Sequence, residues 1–208
     1  LQPGETLTLS DGEGGLARSR VTGAERGALT LEILERRAVP APDPKLTVVQ
    51  ALPKGDRGER AVQMLTEVGV DEVIPWAAAR SITQWKGPRG DKARAKWAAT
   101  AREASKQARR AHFAHVAELH TTKRLLARLR EAARVLVLHE EAARPLSAAE
   151  LASSGEIALV IGPEGSIAPG ELEALREVGE PIRLGETVLR TSTAGPAALA
   201  VLQARLGR

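Results

Sequence analysis

Three observations predict an α/β protein built on a mostly parallel sheet, and a small β unit precedes it. Short apolar runs alternate with amphipathic stretches from about residue 46 onward, the signature of repeated β–α units. Several runs, such as Ala158-Leu159-Val160-Ile161, are apolar throughout, as strands covered on both faces require. That run breaks into Gly162-Pro163-Glu164-Gly165-Ser166 and a helix signal follows (Pro169, Glu171, Leu172, Leu175, Val178, with Gly179 as terminator). A strand feeding a glycine-bearing loop and then a helix N-terminus is where α/β proteins place ligands.

Residues 6–9 alternate Thr-Leu-Thr-Leu up to a turn at Asp11-Gly12. Leu16 to Val21 and Ala28 to Leu34 add two strand-like runs, and Pro40-Ala41-Pro42-Asp43-Pro44 reads as a linker. Three strands rarely hold a core alone, so further strands are expected upstream. Beyond the linker, Leu46 to Leu52 is a strand. Asp56 with Glu59 resembles a capping box opening a helix whose apolar face is Ala61, Leu65 and Val68, closed by Gly69. Glu72-Val73-Ile74-Pro75 is another strand. Asp91 is expected to cap a long helix to about residue 111, with Ala93, Trp97, Ala101, Ala104 and Ala108 inward. Arg102, Lys106, Arg109 and Arg110 fall on another face as a basic stripe of the kind that tracks phosphates. A helix around Lys123 to Ala133 precedes the strand Val135 to Leu138, and Ser147 with Glu150 suggests a further capping box. The last helix, centred on Ala197 to Leu202, is apolar nearly all round and belongs in the core or, preferably, in a subunit interface.

Net charge is +4, but residues 80–134 hold 15 of the 30 lysines and arginines against four acidic residues (Asp91, Glu103, Glu118, Glu131). That segment carries +11 and leaves −7 for the rest. A basic segment on an acidic body suggests a polyanionic partner, nucleic acid first, against the plainer reading of a solvated Arg-rich surface. Aromatic content of 2 % argues against RNA recognition on stacked-ring platforms. The absence of cysteine excludes disulfides, thiolate metal sites and Cys nucleophiles and fits the cytoplasm. No apolar run reaches the ~18 residues of a membrane span, and the first residues carry no signal-peptide pattern.

The glycine patterns of dinucleotide-binding and P-loop proteins are missing, as is a Gly-x-Ser-x-Gly elbow. His112, His115, His120 and His139 are too scattered for a metal site, so none is expected. About twenty residues after the first loop, Ile182-Arg183-Leu184-Gly185 runs into Thr187-Val188-Leu189-Arg190-Thr191 and repeats the strand–glycine pattern more weakly. These two loops are the strongest lead to function.

Together, Ile161-Gly-Pro-Glu-Gly-Ser166 and Leu184-Gly-Glu-Thr-Val-Leu-Arg-Thr-Ser-Thr-Ala194 resemble the paired C-terminal motifs of the RsmE-type small-subunit ribosomal RNA uracil-N3 methyltransferases of the SPOUT superfamily. Thr66-Glu67-Val68-Gly69-Val70, Ile74-Pro75 with Arg80-Ser81, and Glu103, Gln107 and Arg110 match further family positions, so the resemblance spans roughly residues 46–206. It implies a SPOUT-type sheet with a C-terminal trefoil knot, an exception to the rule against threaded chains. The expected division is a partial PUA-like RNA-binding β-barrel at 1–40 and the methyltransferase domain at 45–208. Ser166, Ser192 and Met64 depart from the family's usual Gly, Glu and Lys.

The resemblance further implies S-adenosylmethionine as cofactor, small-subunit rRNA or the assembled subunit as substrate, and a homodimer. Leu138, His139, Ile161, Gly162, Pro163, Glu164, Gly165, Leu184, Gly185, Val188, Leu189, Arg190, Thr191 and Ala194 are the expected cofactor residues. Arg80, Arg102, Lys106, Arg109 and Arg110 are expected to meet RNA, with Arg80 and Arg110 alternatively holding structural carboxylates such as Glu67 and Glu103. Arg190 is the candidate for stabilising a uracil anion, or alternatively a phosphate clamp or a salt-bridge partner. Glu164 is a candidate for orienting the methionine part or taking a proton, or for bonding neighbouring N–H groups. Methylation of another RNA position, such as a ribose 2′-hydroxyl, and a non-catalytic RNA-binding assembly role are the alternatives.

Overall fold

The computed structural model describes all 208 residues, Leu1–Arg208. Its first three strands, β1 (Thr6–Ser10), β2 (Gly15–Glu25) and β3 (Ala28–Ala38), form an antiparallel sheet in that order. Val21 and Ser19 are buried in it, while Leu9, Leu29, Ile33 and Leu34 stand exposed. Backbone bonds from Gly14 N–H to the Ala111 carbonyl and from Phe113 N–H to the Gly12 carbonyl attach this sheet to the rest of the chain.

The remaining strands are β4 (Lys45–Ala51), β5 (Glu72–Ala77), β6 (His115–Val116), β7 (His120–Thr121), β8 (Arg134–Leu138), β9 (Glu156–Ile161) and β10 (Glu180–Ile182). They make one sheet in the order β10-β8-β9-β4-β5-β6, with β7 also pairing β5, and every pairing is parallel. The continuous apolar runs have the cause inferred from the sequence: both faces are covered. Leu46, Val48, Leu52, Leu159 and Ile161 face one core layer with Val62 and Leu65 of α1 (Arg57–Val68), Trp97 and Ala101 of α2 (Gly87–Gln107), and Leu199 and Leu202 of α5 (Thr191–Arg205). Val49, Ala51, Trp76 and Val160 face the other layer with Leu125 of α3 (Thr122–Leu129) and Leu175 of α4 (Pro169–Arg176).

Several local expectations give way to longer-range contacts. Asp56 precedes α1 but makes no cap hydrogen bond, and Glu59 instead pairs with Lys96 of α2 at 3.0 Å. The long helix begins four residues before Asp91, because Pro88 has the fixed φ that suits a first turn and no N–H to waste there. It ends at Gln107, not near 111: Arg109 takes a left-handed φ of 54°, and Ala108 is exposed. Ser147 and Glu150 open no α-helix, only the short 3-10 turn Leu146–Ala148. Gly69 does terminate α1, at φ 109°. The last helix buries Ala198, Leu199 and Leu202 in the chain's own core, so its apolar character is spent largely inside the chain.

At the amino ends of the strands, Glu72 binds Lys45 (2.7 Å), His115 (3.1 Å) and Arg128 (3.3 Å), and Arg128 continues to Glu156 at 2.8 Å. Burial alone would raise the Glu72 pKa, but the Lys45 bond and charge, with His115 and Arg128, hold it below the ordinary carboxylate value. A depressed folded-state pKa means stability present above the unfolded value of about 4.5 and lost as pH falls through the lower folded one. Glu72→Gln is therefore expected to lower Tm at pH 7 and to narrow the mutant–wild-type gap as pH falls through the acid limb. An unchanged gap from pH 7 to pH 3 would remove Glu72 from the acid response.

Candidate cofactor cleft

At the opposite, carboxyl end of the sheet the chain leaves β8, β9 and β10 in three loops that close on one cleft of about 530 Å³. The volume falls in the range of small-ligand and cofactor sites. Leu138 and His139 enter it from the end of β8, Ile161 to Glu164 from β9, and Leu184 to Thr191 from the stretch after β10. Thirteen of the fourteen cofactor residues expected from the sequence line it. The exception is Gly165, whose neighbour is the Arg80 side chain. The structure adds Glu140, Ser166, Ile167, Arg183, Glu186 and Thr187. Glu186 and Thr187 lie within the second motif and Arg183 immediately before it, and only their side-chain direction was hidden in the sequence.

The cleft's chemistry has three parts. Leu138, Ile161, Leu184 and Leu189 provide an apolar wall that suits a flat heterocycle. From Leu184 to Arg190 no backbone N–H has a partner within the protein, so up to seven donors remain for a ligand or water. Arg183 and Arg190 supply positive charge, and the Arg183 Nε is buried with no hydrogen-bond partner. Such a donor set fits a cofactor that carries a purine, hydroxyls and a carboxylate, as S-adenosylmethionine does.

The first loop is braced from behind. Glu164 Oε1 accepts from the Lys54 backbone N–H at 3.1 Å and from Arg57 Nη1 at 3.3 Å, which ties the loop to the turn after β4. Of the readings open for Glu164, the structure displays the bonding one. Arg80 Nη1 donates to the Gly165 carbonyl at 3.0 Å, so this guanidinium shapes the loop. Glu171 of α4 accepts from the Ala79 N–H and, at 2.6 Å, from the Thr122 hydroxyl, fixing the segment that carries Arg80. Ser166 sits at φ 60°, a conformation that costs a non-glycine residue about 1–2 kcal/mol and accounts for glycine at the matching family position. Ser192 is buried and absent from the cleft wall.

Arg190 is exposed at the N-terminal boundary of α5 and lines the cleft. Arg110 takes the structural alternative and not the RNA contact, with Asp71 as its carboxylate in place of Glu67 or Glu103. Beyond the helix end, its guanidinium donates to the Thr66 and Val70 carbonyls and to Asp71 at 3.1 Å. Burial lowers its pKa and Asp71 opposes that shift; it is a structural cation between α1 and β5, not a phosphate contact. Arg102, Lys106 and Arg109 are exposed, with Lys106 also paired to Glu103. They lie toward the end of α2 that runs down to Asp71, away from the strand ends that form the cleft.

A family model described as an RNA methyltransferase domain matches residues 40–203. The ribosomal RNA small subunit methyltransferase E of Mycobacterium tuberculosis (strain CDC 1551 / Oshkosh) is 47% identical over 204 residues, covering 96% of this chain and 78% of that protein. The Bacillus subtilis (strain 168) protein of the same name is 32% identical over 176 residues, 81% of this chain and 68% of its own. A crystal structure of ribosomal RNA small subunit methyltransferase E from Neisseria gonorrhoeae bound to S-adenosyl methionine has a TM-score of 0.86 at 28% identity, covering 99% of this chain and 85% of that one.

Proposed function

Because the chain belongs to the RNA methyltransferase domain family of ribosomal RNA small subunit methyltransferase E, we propose that its cleft serves methylation of N3 of a uridine in small-subunit rRNA. It is a methyltransferase that uses S-adenosylmethionine on small-subunit ribosomal RNA. The observation that carries the reading is the meeting of the 161–167 and 184–194 loops in one cleft with unpaired backbone donors, an apolar wall and two arginines.

S-adenosylmethionine supplies a methyl group on a positively charged sulfur. Around it the chain's own residues do the rest. The backbone of Leu184 to Arg190 offers hydrogen bonds, and Leu138, Leu184 and Leu189 would shield a bound heterocycle from water. Uracil N3 is a poor nucleophile until its proton leaves, and the resulting anion spreads charge onto the two flanking carbonyl oxygens. Arg190 at the cleft rim is the group suited to stabilise that anion. Glu164 already holds two donors, which assigns it to bracing the loop and leaves proton removal to another group.

The finer architecture belongs to the same proposal: a C-terminal trefoil knot, a cytoplasmic homodimer, and residues 1–40 as the RNA-binding part of a PUA-like barrel. The antiparallel β1–β3 sheet is what supports the barrel part of this reading, and no helix is long and apolar enough to cross a membrane. Arg80, Arg102, Lys106 and Arg109 are the proposed RNA contacts. Reversing the last three to Glu should weaken RNA binding and flatten its log–log salt dependence by about one unit for each phosphate no longer neutralised. A wild-type salt slope would return the stripe to plain solvation.

The target is tested by incubating small subunits that lack the modification with protein and cofactor, followed by nucleoside mass spectrometry. New 3-methyluridine is the expected product. A 2′-O-methyl nucleoside would move the reaction to the ribose, and no product from a protein that binds S-adenosylhomocysteine would favour a non-catalytic role.

A further inference from the structure

Gln50 is a buried amide on the strand face that otherwise presents Leu46, Val48 and Leu52 to the core. Burying an amide among hydrocarbon costs free energy unless its hydrogen bonds are made. Its Nε2 donates to the Thr191 hydroxyl at 3.0 Å and to the Ala51 carbonyl at 3.1 Å. The Thr191 hydroxyl passes its own proton on, donating to the Gly162 carbonyl at 2.7 Å. The order Gln50, Thr191, Gly162 therefore joins the end of β4 to the first residue of α5 and to the first residue after β9. Thr191 and Gly162 both line the cleft, one in each of its two main loops.

The direction of the bonds is fixed. An amide turned over would set its oxygen against the Ala51 carbonyl, and the hydroxyl proton would turn away from Gly162. Gln50 Oε1 has no partner and lies 3.6 Å from where a Cβ on Gly195 would stand, so the donor half of the amide is the part in use. We propose that Gln50 is a positioning residue: it orients the Thr191 hydroxyl, which sets the separation of the two loops and the exit direction of Arg190 next in the chain. It touches neither cofactor nor RNA; it acts through Thr191. The inference rests on the cleft being the cofactor site.

Gln50→Leu and Thr191→Val remove the two links at nearly constant volume, and the leucine joins an apolar cluster, so folding is retained. Calorimetry with S-adenosylhomocysteine, well below Tm, should show Kd raised about tenfold or more by each change, with the double variant no worse than Thr191→Val, as one network requires. Thr191→Ser keeps the hydroxyl and should restore Kd to near the wild-type value. In the cofactor-free protein, amide exchange at the loop's exit, where the Thr193 and Ala194 N–H groups bond the Arg190 carbonyl, should quicken in Gln50→Leu. A merely structural Gln50 would lower Tm while leaving Kd and loop exchange as in wild type, and losses that multiply in the double variant would separate the two residues; either result overturns the proposal. If wild-type protein bound no S-adenosylhomocysteine, the cofactor reading would fail, and the exchange measurement would still decide the link between Gln50 and the loop.

Discussion

Arg190→Ala is expected to lower kcat for rRNA methylation by about 100-fold, the scale on which one preorganised donor to a developing anion is felt. The Kd for S-adenosylhomocysteine should stay within about threefold of wild type, because an interaction made only in the transition state leaves ground-state binding alone. The geometry behind this split is specific. Arg190 is exposed at the cleft rim, at the point where the 184–190 stretch enters α5, while the neighbouring Thr191 is pinned below it by Gln50 and Gly162. The guanidinium thus starts from an anchored backbone and reaches toward the open side. Arg190→Lys keeps the charge but not the planar fork, and should fall between the two. A phosphate clamp would give a different pattern: KM for RNA would rise, its salt dependence would flatten, and kcat at saturating RNA would be preserved.

The cleft was legible because what makes it is local and largely backbone. Gly-Pro-Glu-Gly after an apolar strand, and Leu-Gly before a helix, each declare a strand–loop–helix junction within about ten residues, and the topology brings both to one end of the sheet. What misled was side-chain bonding over long separations. Glu59 has the spacing of a capping box, yet Lys96 on a different helix claims it. Arg110 has the spacing of a basic stripe, but the helix stops three residues earlier and the left-handed turn at Arg109 swings it onto Asp71, 39 residues back. Gln50 gave no signal at all. In sequence it is one polar residue in a strand, and its partner lies 141 residues further on. The apolar last helix was ambiguous for a related reason: amphipathicity says that a surface is covered, not by what, and here the chain's own sheet covers much of it.

Gly162→Ala should be the most damaging single-methyl change in the cleft. A Cβ built at Gly162 would stand 2.7 Å from Cγ1 of Ile167, a buried side chain belonging to the same loop, closer than real carbon contacts allow. Ile167 packs into the core layer shared with Ile74 and Trp76, so it has little room to yield. The loop must move, at a cost on the scale of overpacking, about 1–3 kcal/mol. That movement carries the Gly162 carbonyl away from the Thr191 hydroxyl, so the cleft should lose shape as well as stability. S-adenosylhomocysteine Kd is expected to rise by about tenfold or more alongside a lowered Tm, the factor that about 1.4 kcal/mol sets. Ile167→Ala removes Cγ1 and opens the space. Although that change alone leaves a cavity and lowers Tm, the Gly162→Ala/Ile167→Ala pair should bind cofactor better than Gly162→Ala alone. Coupling of that sign in a double-mutant cycle would trace the loss to the clash. Additive effects would instead place the requirement for glycine in direct approach of the cofactor to the Gly162 backbone.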